Sequence, residues 1–328
     1  MILAIDNFGT FIGKEGNRFK VINGVEKSEY SADLLTQIMI IKASAISFGA
    51  IRLAMENNID IVYLGRRDIP HARIYPCKLG GTTLTRRKQL ELTYQPKGGD
   101  LVKAFIFAKI KNQASLLCSL GKSRKLPSLV KASQLIKQQS LAIHSLSGTP
   151  DTIRQSLLGI EGNSGSIYFN ALREILPFPG RNKESPDAVN TLLNYGYGML
   201  YGEVERACVI AGLDPYLGFM HTDRYDKPSM VLDLIEEFRQ PIVDRTVITL
   251  FAQKQVAEAD FEEYGVSKVL SKQGREKIIH AILERWTQEV AYKGKMLSLR
   301  QIIVEQARAV TRFLLAKEQE YTGFTSRW

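Results

Sequence analysis

The sequence predicts an α+β chain: a small N-terminal β-rich domain followed by a larger all-α domain. Three observations carry this. Residues 1 to about 76 read as short apolar runs divided by turn residues. Pro76 and the pair Gly80-Gly81 then break the pattern. From about residue 88 the apolar positions recur at helical spacing. These observations give a β-rich domain with one short helix over 1–76, a linker over 77–90 and a helical domain over 91–328.

In the first part, Ile2–Ile5 and Thr10–Ile12 flank a turn at Asn7-Phe-Gly9. A second turn, Lys14–Asn17, leads into Arg18–Ile22. Leu35–Ile41 and Ile59–Leu64 are further strands. Ser47–Asn57 is the helix, with Ile51 and Met55 on its buried side. No cluster of ligating residues occurs there, and His71 has no matching carboxylate pattern.

The 328 residues suffice for two ordinary domains, and 45% hydrophobic content can fill a core. The formal charge of +10 favours polyanionic partners, either nucleic acid or an acidic membrane surface. Cys77, Cys118 and Cys208 lie far apart, which excludes a disulfide framework and a zinc motif and fits a reducing cytoplasm. The N-terminus lacks a signal-peptide pattern, and no apolar run approaches the ~18 residues of a membrane span.

In the helical part, Arg86-Arg87-Lys88 at the domain junction is either a solvated helix end or a phosphate contact. Leu101–Leu120 is a helix carrying Lys103, Lys109 and Lys111, and Gly121–Pro127 is a basic loop. A further helix covers about 128–145. Thr149-Pro150 starts the next, as an N-cap followed by proline in the first turn. Glu161 lies mid-helix among Gly159, Gly162 and Gly165. Each glycine costs a helix about 1 kcal/mol, so something approaches this backbone, another helix or a ligand. Ser185-Pro186 repeats the start signal. Asn190, Asn194, Tyr197 and Tyr201 then share one helix face, which suits a sugar-phosphate chain or a neighbouring helix, and Gly212 caps its end. The final helices, 271–291 and 298–319, place Arg300, Arg308 and Arg312 on roughly one side, as a solvated basic face or a DNA-facing stripe.

The stretch from His221 to Arg239 concentrates the chemistry. Ser229 reads as the N-cap of a short helix stopped by Pro241. Asp233, Glu236 and Glu237 fall on one side of about one turn. Imidazole with carboxylates at a loop-to-helix junction is the ligand mix of Mn²⁺ or Mg²⁺. Acids at a helix start and a satisfied core histidine account for the same residues.

With these residues in view, the chain resembles the CRISPR-associated endonuclease/integrase of spacer acquisition, the universal "Cas one" family. The resemblance lies in Leu157–Gly162 with Tyr168-Phe169, Asn194–Tyr201, Gly212–Pro215, Gly218–His221, Leu232–Arg239, Asp244-Arg245, Leu299-Arg300 and Gln306–Arg308. Their order and spacing together are specific. The resemblance implies a metal site of Glu161, His221 and Glu236, with Asp233 as an assisting group among the catalytic residues. It assigns Glu237 no metal role, and a basic neighbour is the expected partner. The family often has aspartate where Glu236 stands, and its Phe-Arg-Pro reads Phe238-Arg-Gln-Pro241 here.

The function so implied is metal-dependent phosphoryl transfer: a DNA 3′-OH attacks a phosphodiester of the CRISPR repeat, or water does so in nicking. Partners would be double-stranded DNA (spacer precursor and repeat), a second copy in a homodimer and a second, smaller adaptation protein. Expected nucleic-acid contacts are Arg86, Arg87, Lys88, Tyr197, Arg239, Arg300, Arg308 and Arg312. The competing readings are a DNA-binding scaffold with a structural or silent metal site, and a metallohydrolase of small anions.

Overall fold

A computed structural model describes residues 1–65, 70–76, 82–221, 227–265 and 267–326. The chain divides into two compact units, Met1–Leu79 and Gly80–Trp328.

The first unit holds eight strands among its described residues: β1 Ile2–Ile5, β2 Phe11–Glu15, β3 Arg18–Asn23, β4 Glu26–Ser31, β5 Gln37–Ile40, β6 Ala45–Ile46, β7 Asp60–Leu64 and β8 Pro70–Ile74, with helix α1 at Phe48–Glu56. They form two sheets, ordered β1-β5-β7-β8 and β4-β3-β2-β6. Gly16 and Gly24, both at positive φ, make the two hairpin turns that fold β2, β3 and β4 into a meander. Strand β4 has no counterpart in the sequence reading, because Glu-Lys-Ser-Glu-Tyr-Ser is an edge strand with little apolar pattern. Ser47 caps α1 by accepting from the Ala50 N–H at 3.2 Å. Ala50, Leu53 and Ala54 enter the core beside Ile12, Phe19, Ile38 and Ile61, whereas Ile51 and Met55 are half-buried at its margin. The helix is thus rotated from its expected facing, because its small side chains take the close contacts.

The second unit is helical: α2 Thr82–Leu92, α3 Pro96–Arg124, α4 Pro127–Leu141, α5 Pro150–Leu172, α6 Ala188–Ile210, α7 Ser229–Leu234, α8 Arg245–Ala252, α9 Lys272–Thr287 and α10 Leu299–Leu314. Two hairpins interrupt it, β9 Phe261–Tyr264 with β10 Ser267–Leu270, and β11 Glu289–Tyr292 with β12 Lys295–Ser298. The domain is therefore not all-α; polar strand residues hid the hairpins. The linker over 77–90 is corrected too. Residues 82–90 belong to α2, whose buried Gln89 donates to the carbonyls of Asp214 (2.9 Å) and Leu217 (2.6 Å). The expected break at Gly80-Gly81 lies outside the described residues.

Helices α3, α4 and α5 pack together, and α10 packs on α6. Residues 121–124 continue α3, and Lys125 turns the chain in the left-handed region, so the expected basic loop shrinks to Lys125 and Leu126 before α4. Asp187, not Ser185, caps α6, accepting from the Asn190 N–H at 2.9 Å while Ser185 donates to Asp187. Pro241 does not stop the helix begun at α7. The chain passes through a 3₁₀ turn at Ile235–Glu237 and a π turn at Arg239–Asp244 into α8. Proline lacks the N–H that an α-turn would use, and the wider turn absorbs the loss. Gly196 of α6 lets this turn approach closely, since a Cβ there would stand 2.6 Å from Val243. Among the described residues no helix is long and apolar enough to cross a membrane.

Glu203 of α6 and Arg300 of α10 join these two helices. Arg300 Nε and Nη2 lie 2.9 and 3.0 Å from the Glu203 carboxylate, and Arg206 Nη2 lies 2.7 Å from it. Arg300 thus points inward, with a side chain 12% exposed, and is removed from the expected basic stripe. Burial pushes the Glu203 carboxyl up, but Arg206 and Arg300 more than offset this and hold it down to about 2. A folded value below the ordinary 4.5 means that the triad stabilises the fold above pH 4.5. That stability is lost as pH falls through 2, on the order of 3 kcal/mol in total. Glu203→Gln is expected to lower stability at pH 7 by about 3 kcal/mol, and the gap to wild type should close toward pH 2. Denaturant unfolding across that range checks it, and an undiminished gap at pH 2 would refute it.

Candidate active site

The segment before His221 is held from both sides. Asp233 of α7, fully buried, accepts from the backbone N–H groups of Phe219 (2.6 Å), Met220 (3.0 Å) and His221 (3.1 Å). Arg154 of α5 donates to the carbonyls of Met220 (2.8 Å) and Phe219 (3.3 Å). Gly218 allows the approach, because a Cβ there would stand 2.5 Å from Ser229. Ser229 is consequently a buried first-turn residue, and the N-cap position falls on Pro228, not on Ser229 as expected. Residues 222–226 of the expected stretch lie outside the described residues.

The fourth donor to Asp233 is the His221 ring, with Nδ1 2.7 Å from Oδ1. A carboxylate in this position fixes the proton on Nδ1. The Nε2 lone pair is then free to bind a metal or take a proton.

The three acids do not share one side. They are all buried, each toward different partners. Glu237 turns to the C-terminal segment, accepting from Tyr321 (2.5 Å), Gln306 (2.7 Å) and the Phe324 N–H (2.8 Å). Its partners are neutral donors and not the expected basic neighbour. Burial pushes its carboxyl up to about 7, against the pull of those hydrogen bonds. Asn112 of α3 completes this anchor, donating to the Glu237 and Phe324 carbonyls at 2.9 Å each.

Glu236 faces α3 and α5. Its Oε1 accepts from Arg239 Nε at 2.9 Å. Its Oε2 lies 2.6 Å from Lys109 Nζ, an ion pair at an angle outside hydrogen-bond geometry. The same ammonium contacts Oε1 of Glu161. Burial raises the Glu236 carboxyl, but Arg239 and Lys109 overcome it and hold it at about 2. Burial lowers the Lys109 ammonium, and the two carboxylates more than restore it.

Among the described residues no three His, Cys, Asp or Glu side chains gather closely enough to hold a metal. Glu161 and Glu236 do converge on one cation, the Lys109 ammonium, and His221 is near enough to act electrostatically on Glu236. Two carboxylates focused on a stand-in cation and a neighbouring imidazole fit the donor set of Mn²⁺ or Mg²⁺.

A basic and aromatic rim adjoins Glu236. Tyr168 and Tyr197 both donate to the buried Asp244 of the π turn, at 2.8 and 2.5 Å. The Tyr197 ring lies between Arg239 (4.8 Å) and Arg181 (5.4 Å). Arg181 also donates to Asn190 and Asn194 at 2.8 and 2.7 Å, so the polar face of α6 is met from within the chain. Partial burial and then repulsion from Arg239, Arg181 and Lys227 lower the Lys183 ammonium. Sequence reasoning missed Lys109, Arg154, Arg181 and Lys183.

The other expected phosphate contacts stand apart from this centre. Arg86 is exposed, 3.8 Å from Asp214, Arg87 is exposed, and Lys88 pairs with Glu91 at 2.7 Å. Arg308 pairs with Glu305 at 2.7 Å and Arg312 with Glu318 at 2.6 Å. Among the described residues none comes close to Gly159, Gly162 or Gly165: a Cβ at each would meet nothing within 4 Å. Of the two readings of these glycines, packing against another helix of this chain is excluded.

A family model described as CRISPR associated protein Cas1 matches residues 3–284. The chain is similar to a CRISPR-associated endonuclease Cas1 of Archaeoglobus fulgidus, 35% identical over the whole of both chains. It is 33% identical to a CRISPR-associated protein Cas1 of Methanobrevibacter ruminantium, again over both full lengths. Among solved structures, a casposase bound to integration product has the same fold, with a TM-score of 0.85 at 22% identity, covering 100% of this chain and 94% of that one. A Cas1 protein from Thermotoga maritima gives 0.79 at 19% identity, covering 99% and 100%. A Cas6-RT-Cas1–Cas2 complex gives 0.78 at 19% identity, covering 99% of this chain and 36% of that one.

The Asp233 network generates a prediction of its own. Asp233→Ala leaves three buried N–H groups without an acceptor, and each such group costs about 1–3 kcal/mol. A loss of about 3 kcal/mol or more is expected in urea unfolding. A change below about 0.5 kcal/mol, the range of an ordinary surface substitution, would contradict it.

Proposed function

The chain belongs to the Cas1 family, and on that premise we propose that it is a metal-dependent DNA endonuclease and integrase that inserts new spacers into a CRISPR array. The observation that carries this reading is the convergence of Glu161 and Glu236 on one cation, beside an imidazole that Asp233 orients. The endonuclease name of the A. fulgidus relative and the integration product held by the casposase accord with both cutting and joining.

The reaction is phosphoryl transfer. A 3′-OH of the incoming DNA attacks a phosphodiester of the repeat; a new P–O bond forms as the bond to the leaving oxygen breaks. In nicking, water replaces the hydroxyl. Glu161, Glu236 and Nε2 of His221 would hold Mn²⁺ or Mg²⁺, which when bound polarises the phosphate and lowers the pKa of the attacking hydroxyl.

The remaining residues prepare that site. Asp233 fixes the tautomer and direction of the His221 ring, and Arg154 fixes the segment carrying it. Arg239 holds one oxygen of Glu236, so the other faces Glu161. Arg239 is thereby a positioning residue first, and Tyr197, whose hydroxyl is engaged with Asp244, offers only its ring.

Double-stranded DNA is the proposed substrate, since +10 of formal charge drives duplex binding by counterion release. Close to the scissile phosphate, Lys183 and Arg181 are the cations to contact the backbone, because an anion there offsets the burial and the cation repulsion that lower the Lys183 ammonium. Arg86, Arg87, Lys88, Arg308 and Arg312 are contacts further out. A homodimer and a second, smaller adaptation protein are the proposed partners, the Cas1–Cas2 complex among the solved neighbours supporting the latter. A cytoplasmic location follows from that substrate.

Strand transfer of a short duplex into supercoiled DNA with Mn²⁺ tests the proposal. His221→Ala and Glu236→Gln are each expected to reduce joining by more than about 100-fold, beyond the 10–100-fold typical of a residue that only orients a ligand. Duplex binding should persist in both. Undiminished joining in His221→Ala would refute the site, and binding without joining in any divalent metal would favour a scaffold with a silent site. Asp233→Ala losing more joining than Glu236→Gln, at a temperature where both variants are shown to be folded, would move the ligand one turn earlier. Separately, the duplex affinity of wild type is expected to fall about 10³-fold or more between 50 and 200 mM salt if six or more phosphates are contacted. A salt-independent affinity would point to a small anionic substrate.

A further inference from the structure

We propose that Lys109 is a tethered counter-ion standing in the divalent-cation position, so that a metal settles between Glu161 and Glu236 only as this ammonium withdraws. The inference rests on the reading of those two carboxylates as metal ligands.

The geometry is that of a shared seat. Lys109 Nζ touches one oxygen of each carboxylate, lying 2.6 Å from Glu236 Oε2. Its side chain, in the middle of α3, is 12% exposed, and that of Glu236 is 4% exposed. Two carboxylates facing each other at this depth stay ionised only with a cation between them; otherwise one takes up a proton. Lys109 and Arg239 supply two positive charges against two negative ones, so the cluster is neutral as it stands. A bound Mn²⁺ or Mg²⁺ would hold carboxylate oxygens at roughly 2.1 Å, closer than an ammonium does, which leaves no room for Nζ between them. Four methylenes give the lysine reach to move while its helix stays fixed. The Lys109 seat therefore does two things. It keeps the acidic pair from collapsing or taking up protons while no metal is present. It also sets a threshold on metal affinity, because every binding event must displace it.

A permanent structural ion pair is the competing account, and the two separate on metal binding. The measurement is Mn²⁺ affinity of the purified full chain by calorimetry, with thermal unfolding followed with and without Mn²⁺, in wild type, Lys109→Met, Lys109→Arg and Glu236→Gln. Lys109→Met keeps the length and removes the charge. Its Kd for Mn²⁺ is expected to fall about tenfold, equivalent to about 1.4 kcal/mol. Its metal-free melting temperature should drop below wild type and return when Mn²⁺ is added. Lys109→Arg should bind Mn²⁺ no more tightly than wild type. A Lys109→Met protein that folds only with Mn²⁺ supports the proposal equally. Unchanged or weaker Mn²⁺ binding in Lys109→Met overturns it, as does a melting deficit that Mn²⁺ leaves in place. So does a Lys109→Met protein that folds under neither condition while Lys109→Arg binds as wild type does. If Glu236→Gln binds Mn²⁺ as tightly as wild type, the metal-site reading itself has failed, a result distinct from the others.

Discussion

Everything at the site depends on how one carboxylate is kept inside the protein. Asp233 is buried and yet accepts from four donors, three consecutive backbone N–H groups and one imidazole nitrogen. Those bonds replace the water that ionised carboxylates demand. They also turn the chain at Phe219–His221 into a fixed shape, because consecutive amides can converge on one group in few conformations. The position of the His221 ring, the start of α7 and the close pass of Gly218 over Ser229 all follow from it.

Within five residues the chain buries three carboxylates by three different means. Asp233 is met by backbone dipoles, Glu236 by two cations and Glu237 by neutral donors that leave its carboxyl near 7. The change from α to 3₁₀ to π geometry between Ser229 and Asp244 makes this possible. In a uniform α-helix, positions 233, 236 and 237 would crowd on one side and repel. The altered pitch rotates them apart, toward the His221 segment, the α3–α5 groove and the C-terminal segment. Pro241, and the small Gly196 opposite Val243, are the residues that permit the wide turn.

Much of this was legible in the sequence. The two-part organisation followed from where apolar spacing changes; Glu161 stood out among helix-interior glycines and His221 beside Asp233, Glu236 and Glu237, and the family resemblance alone chose among these acids. What stayed hidden depends on contacts between distant segments. Lys109 is one of several lysines on α3, a helix buried on so many sides that its periodicity points nowhere. Arg154 and Gln89 act through backbone carbonyls remote in sequence, which carry no residue signature. Arg300 looked like part of a basic stripe because its acid, Glu203, lies on another helix. Strands β4, β11 and β12 are exposed ribbons, and polar residues there give no alternation to read.

The bare face of α5 has a thermodynamic meaning. Alanine at Gly159, Gly162 or Gly165 would touch none of the described residues, and each exchange would strengthen the helix by about 1 kcal/mol. The molecule therefore forgoes stability that three single-methyl additions would supply, on the very helix that carries Glu161. Stabilising exchanges of this kind are commonly available in natural proteins, and where they carry a cost it falls on function. A helix shorn of side chains leaves its backbone open to close approach, and the tolerance of this face to added methyl groups measures whether anything makes that approach.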